Sequence, residues 1–277
     1  MNTTYDNISK IIEQNNVNEP TMPNNIVEIL GVPINRISSE EVTNILVMWA
    51  LSDRTHHVVT VNPEFVMIAQ QNKEFLTVLQ KASLRIADGI GILWASHLLG
   101  KPIIERVTGS DTIHSFAKAA SKKGIRFFFL GAAQGVAELA ADALRKDYPG
   151  IEIVGTYAGS PREKEEEEIC ERIISARPHV LLVAYGAPMQ DLWIARTAHK
   201  LKIPVAIGVG GTFDFLAKTV KRAPKWMQRF SIEWLFRLIQ EPRRWRRMLR
   251  LPLFALAVFR SSMSQRNSQK GKQTRVE

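Results

Sequence analysis

Four short segments of this sequence put polar side chains and glycines directly behind apolar, β-branched runs. Thr60-Val61-Asn62-Pro63-Glu64 brings a hydroxyl, an amide and a carboxylate to one strand-to-helix junction. Ala87-Asp88-Gly89-Ile90-Gly91 sets a carboxylate before two glycines, which lets a ligand come close to the backbone. Gly186-Ala187-Pro188-Met189-Gln190 ends on an amide that can both donate and accept. Gly208-Val209-Gly210-Gly211-Thr212-Phe213-Asp214 places glycines ahead of a helix, where backbone N–H groups can meet a phosphate. From this turn Gly210, Gly211 and Asp214 join the candidate substrate-binding residues. Gly131-Ala132-Ala133-Gln134-Gly135 is a further turn of the same kind. Each has a plainer alternative. Asn62 can simply cap a helix, and Asp88 can do the same beside a turn glycine. A single glycine turn carries little; their recurrence at strand ends carries more, because ligands of open parallel sheets bind beyond the carboxyl ends of the strands.

Several chemistries lack their residues. The glycine turn at 208–213 is no dinucleotide fingerprint, since Phe213 stands where the third glycine would be. No Walker A, D-x-D, H-E-x-x-H, C-x-x-C or G-x-S-x-G occurs. The six histidines have no ligand spacing, and His56-His57 reads as a strand edge. Cys170, the one cysteine, cannot form an internal disulfide and reads as packing. What is left favours a metal-free reaction, without a cofactor, in which arginine and backbone N–H groups face phosphate.

The elements that would hold these turns alternate. Val27–Asn35 reads as a strand pair or bent strand, and Ser38–Glu41 opens a helix to about Asp53. Strands follow at His57–Asn62, Leu84–Ala87, Ile125–Leu130, Ile151–Thr156, Val180–Tyr185 and Val205–Val209. Helices are expected from Pro63 to about Lys81, and over Gln134–Tyr148, Pro161–Ala176 and Gln190–Leu201. Several strands are continuous apolar runs, which marks burial on both faces. The expected fold is therefore α/β, a Rossmann-like, doubly wound, mostly parallel sheet with a basic helical C-terminal appendage. The expected organisation is a polar, disordered arm over 1–25, an α/β catalytic domain over 26–217, an appendage over 218–260 and a disordered tail over 261–277.

Charge separates these parts. The net +10 is the sum of −3 over residues 1–217, +10 over 218–260 and +3 over 261–277. Such asymmetry points to a polyanionic partner of the C-terminal segment. Between its arginines lie Trp226, Phe230, Trp234, Phe236 and Trp245, with Trp234, Leu235, Leu238 and Ile239 at helical spacing. That composition suits an interfacial helix on an anionic membrane surface. A basic helix docked on the core by its apolar stripe is the plainer alternative, and the aromatic content argues for lipid over nucleic acid. The apolar run Leu251–Phe259 is about half the length of a spanning helix. Met1–Asn25 has no signal-peptide pattern. The expectation is a cytoplasmic protein, peripheral on the inner face of the membrane.

Taken in order, TVNPE at 60–64, ADGIG at 87–91, ERVTGSD at 105–111, FFLGAA at 128–133, GAPMQ at 186–190, GVGGTFD at 208–214 and KRAPKWMQRFSIEWLFRLIQEPRRWRRM at 221–248 resemble the WecG/TagA/CpsF glycosyltransferases, glycosyltransferase family 26. The likeness covers roughly residues 27–258. It implies an inverting, metal-independent hexosyltransferase using a UDP-sugar donor. In TagA-like members N-acetylmannosamine passes to N-acetylglucosamine on undecaprenyl diphosphate, a polyprenyl-diphosphate-linked acceptor, for teichoic acid or other surface polysaccharide. WecG-like members use the uronic acid form of the donor. Carried onto this chain, Asp88 would be the general base, Thr60, Asn62 and Gln190 would line the sugar and acceptor pocket, and Arg106 would add a polar contact. Arg237, Arg244 and Arg247 match basic residues of the family's appendage, expected to close over the diphosphate. Transfer of a uronic acid or glucose, or a non-catalytic nucleotide-sugar binding protein at the membrane, are the alternatives.

Overall fold

The computed structural model describes residues 25–220, 223, 224, 227, 233–240, 242 and 245–273. All of the polar arm except Asn25 lies outside the described residues. The chain then forms an antiparallel hairpin, β1 (Ile26–Ile29) and β2 (Val32–Asn35). Its two turn residues, Leu30 and Gly31, both have positive φ (50° and 80°), the geometry that follows strand twist in two-residue hairpins. The hairpin stands apart from the main sheet and guards its edge. Asn35 is buried, and its Oδ1 accepts from the backbone N–H of Arg85 (3.0 Å) and from Arg85 Nε (3.2 Å). Arg85 lies on β4 (Leu84–Ala87), so a side chain takes the place of a further strand there.

Helix α1 (Ser39–Ala50) opens on a capping box. Ser38 Oγ accepts from Glu41 N–H (3.2 Å) and Glu41 Oε2 from Ser38 N–H (2.9 Å). After β3 (His56–Val61), the single helix expected from Pro63 to Lys81 is two, α2 (Pro63–Ala69) and α3 (Lys73–Lys81). The break is Asn72, whose side chain accepts from Phe75 N–H (3.0 Å) and so starts a second helix. Between β4 and β5 (Arg126–Gly131) come two helices with no counterpart in the sequence reading, α4 (Ile90–Leu98) and α5 (Gly109–Ala120). The chain continues through α6 (Val136–Asp147), β6 (Glu152–Tyr157), a 3-10 turn at Glu163–Glu165, α7 (Glu166–Ala176), β7 (Val180–Ala184), α8 (Met189–Leu201), β8 (Val205–Gly208) and α9 (Thr212–Leu216).

The main sheet has six strands in the order β4-β3-β8-β7-β5-β6, with every pair parallel. Both faces are covered. Phe127, Phe129, Leu182 and Ile207 pack under α1, α5, α6 and α9. Phe128, Leu130, Leu181 and Val183 pack against α7 and α8. Val59 and Val61 meet α2, α3 and α4 on that second side. This explains the continuous apolar runs: side chains alternate between faces, but both faces are dry. The doubly wound expectation holds. The strand-edge reading of His56-His57 does not, because β3 lies between β4 and β8. His56 stacks on Trp49 with centroids 3.9 Å apart, and His57 Nε2 sits 3.2 Å from the buried Asp191 Oδ1.

The C-terminal appendage contributes α10 (Glu233–Gln240), α11 (Trp245–Met248) and α12 (Arg250–Gln273). Helix α12 carries Pro252 in its first turn, where a missing N–H costs nothing. It docks on α2 and α4 through Phe254 and Val258, one turn apart and both buried. Arg250 Nη1 meets Glu64 Oε1 at 2.8 Å. The helix continues past 260, where a disordered tail was expected to begin, and reaches Gln273. Its other face leaves Leu253, Leu256, Phe259 and Met263 about half exposed. No helix among the described residues is long and apolar enough to cross a membrane.

Candidate active site

A cleft of about 690 Å³ opens over the C-terminal ends of β3, β4, β7 and β8. Its volume suits a small-molecule site. The turns singled out at 60–64, 87–91, 186–190 and 208–214 all contribute to its wall, whereas the glycine turn at 131–135 does not. Thr60, Asn62, Asp88, Arg106, Gln190, Gly210, Gly211 and Asp214 are all lining residues. The side chains of Arg237 and Arg247, and the whole of Arg244, lie outside the described residues.

Asp88 is held at the base of the cleft by its backbone. Its N–H donates to Val61 O (2.7 Å), and the next segment crosses close by, with Val107 N–H donating to Ala87 O (3.0 Å). The position that caps α4 is Gly89, at φ 102°, and not Asp88. The Asp88 carboxylate instead accepts from Gly109 N–H, at the first turn of α5. The packing there is tight: a Cβ at 109 would lie 3.3 Å from Thr60 Cγ2, so Thr60 would have to give by a few tenths of an ångström. The surroundings push the Asp88 pKa up to about 6. Burial is the main cause, since removal from water disfavours the charged form. The Gly109 N–H and the Arg106 charge oppose it, while Glu233 and Asp111 add to it.

Two expected ligand contacts are occupied by the protein itself. Asn62 Oδ1 accepts from Phe65 N–H (3.1 Å) and caps α2, which is the plainer reading of that turn. Its amide still lines the cleft. Gln190 is buried, and its Oε1 accepts from Gly210 N–H (2.9 Å). That amide was expected to face a phosphate; it faces Gln190. Thr60 Oγ1 donates to Gly208 O (3.3 Å) on the next strand. A Cβ at Gly208 would sit 2.6 Å from Asp191 Oδ1 and closer still to the Gln190 amide, so only glycine fits. These side chains position the strand ends as much as they line the cleft.

Other lining residues were not among the candidate site residues. Thr108 and Ser110 come from the start of α5, Trp94 and Ile90 from α4, and Glu233, Trp234, Leu251, Phe254 and Ala255 from the appendage. A signal for α5 was present: Thr108 and Asp111 have helix-start spacing, and Thr108 Oγ1 accepts from Asp111 N–H (3.1 Å). Nothing local marks Glu233, whose Oε2 lies 3.4 Å from Arg106 Nη2 across 127 residues of chain. Among the described residues no three His, Cys, Asp or Glu side chains converge as metal ligands do.

A parallel α/β sheet with a partly buried carboxylate in a cleft at its strand ends has the layout of an enzyme site for a small molecule. The chain belongs to the WecG/TagA/CpsF glycosyl transferase family, whose model matches residues 27–268. It is 39% identical to an N-acetylglucosaminyldiphosphoundecaprenol N-acetyl-beta-D-mannosaminyltransferase of Bacillus spizizenii, over 73% of this chain and 78% of that protein. A protein of the same description from Bacillus subtilis is 34% identical over 75% of this chain and 80% of its own. One from Staphylococcus aureus is 32% identical over 89% and 96%.

Proposed function

We propose that this protein is an inverting, metal-independent glycosyltransferase. It moves N-acetylmannosamine from its UDP-sugar to N-acetylglucosamine on undecaprenyl diphosphate, at the inner face of the membrane. The observation that carries this reading is Asp88, a cleft carboxylate with its pKa raised to about 6. Inversion needs one displacement. The acceptor hydroxyl oxygen bonds to the anomeric carbon as the bond to the UDP oxygen breaks, and the hydroxyl proton passes to Asp88. A carboxylate with a pKa near 6 is ionised at neutral pH yet more basic than an ordinary aspartate, which suits a general base. The departing UDP gains negative charge, which Arg106, a residue of the cleft wall, would offset.

The cleft's outer flank supports a lipid-linked acceptor. Ile90 and Trp94 on α4 and Leu251, Phe254 and Ala255 on α12 make an apolar wall next to the polar floor. Ile90 and Trp94 are also about half exposed, as are Leu249, Leu253 and Phe259. With the positive charge of 218–260, such a surface suits an anionic bilayer, which keeps the acceptor within reach.

The test is product formation from UDP-N-acetylmannosamine and a lipid-diphosphate-N-acetylglucosamine, followed as released UDP. Asp88→Asn should lower turnover by about 10²–10⁴-fold, the range for a lost general base, while UDP still binds. Near-normal turnover would end the assignment. A panel with UDP-glucose and the uronic acid donor identifies the sugar, and the proposal expects N-acetylmannosamine to be preferred.

A further inference from the structure

Glu233 stands in the basic run, where only two acids occur among residues 218–260. It is the first residue of α10, and its carboxylate reaches the Arg106 guanidinium at 3.4 Å. Both side chains are only about a quarter exposed, and both line the cleft that holds Asp88. Arg106 itself is fixed by the segment that runs beside the end of β4, through Val107 N–H to Ala87 O. One ion pair thus ties the appendage to the strand end that carries the base. A partly exposed pair of this kind contributes little to folding. Its position matters more than its strength.

Among the described residues, the charged groups acting on Asp88 are Arg106 from the segment before α5, Asp111 from α5 and Glu233 from α10. Arg106 favours the ionised, weakly basic form of Asp88; Glu233 and Asp111 oppose it. Glu233 acts in two ways. It adds a like charge, and it holds the guanidinium with a carboxylate other than Asp88. Without the Glu233 carboxylate both effects end, and Arg106 lowers the Asp88 pKa against less opposition.

We propose that Glu233 is a positioning residue: from the first turn of α10 it holds the Arg106 guanidinium and so sets how strongly that charge acts on Asp88. This rests on Asp88 being the base.

The pH dependence of kcat/KM tests it. Activity requires the ionised base, so it is lost as pH falls through the Asp88 pKa, placing the acid limb of the unaltered protein near pH 6. Glu233→Gln should move that limb to lower pH and lower the plateau, because the base is weaker. Glu233→Asp, which keeps the charge, should restore both in part. In an Arg106→Gln background, Glu233→Gln should move the limb less than it does alone. An acid limb and plateau unchanged by Glu233→Gln overturn the proposal. Equal shifts in both backgrounds overturn the role through Arg106. Carboxyl NMR titration of Asp88 in the resting protein reads the same displacement without turnover, should the variants prove too slow to assay. If Asp88→Asn keeps its turnover, the base reading fails; if it is inactive and the Glu233→Gln limb stays put, only the coupling fails.

Discussion

The two walls of the cleft are held in different ways. The sheet wall is locked by buried, short-range contacts: Thr60 to Gly208, Gln190 to Gly210 and Asp88 to Gly109. The appendage wall rests on two fully buried anchors, Phe254 and Val258, and on partly exposed ion pairs, Arg250 to Glu64 and Arg106 to Glu233. The sheet wall is preorganised, as a reacting centre requires. The appendage wall leans more on contacts open to solvent, which suits the proposed role of seating on a membrane and admitting a lipid-linked substrate.

Substitutions can break or sharpen this contrast. The largest effect expected is the turnover loss of Asp88→Asn. Next comes Gly208→Ala, whose methyl would overlap Gln190 and Asp191. Overpacking at such a point costs about 1–3 kcal/mol or more, read as a lower midpoint of thermal unfolding together with loss of activity. An unchanged midpoint would mean the sheet wall is less rigid than its contacts imply. Phe254→Ala should cost about 3–5 kcal/mol of α12 docking. The expected readout is faster protease cleavage of the appendage, with a smaller change in the thermal midpoint than Gly208→Ala produces. A large, single-step fall in the midpoint would join the two walls into one cooperative unit.

The smallest effect has an unusual sign. Asp88 has a folded pKa of about 6 against an ordinary value of 3.8, so between those values the folded state holds more protons than the unfolded one. Stability therefore falls as pH rises through this window, and by neutral pH the buried charge costs up to about 3 kcal/mol. Asp88→Asn should then raise the thermal midpoint at pH 7.5, and the gain should shrink toward pH 4. A pH-independent difference would remove desolvation as the cause.

Much of the sheet was legible because its signals are local. Six apolar, β-branched runs bounded by glycine and proline correspond to six parallel strands, each within about two residues of its expected bounds. The helices after β4 were not legible. Helix α4 reads Ile-Gly-Ile-Leu-Trp-Ala-Ser-His-Leu, apolar on nearly every side, so no amphipathic stripe marks it. Its residues divide between the core and the open cleft, a partition set by neighbours distant in the chain, α12 among them. The break at Asn72 was missed for a related reason: a cap in mid-run looks like any polar position until its acceptor finds Phe75 N–H.

The candidate site divides along the same line. The sequence by itself determined that Asp88 follows a buried strand, that Thr60, Asn62, Gln190 and the 208–214 glycines end others, and that the excess of positive over negative charge lies beyond residue 217. These follow from residue type and spacing, which act within a few residues. Tertiary structure alone decided that Gln190 is committed to Gly210, that the first turn of α5 meets Asp88, and that an acid from the basic appendage reaches Arg106. Desolvation and through-space charge are sums over atoms from segments far apart in the chain, so the basicity of Asp88 exists only once the fold has brought those segments together.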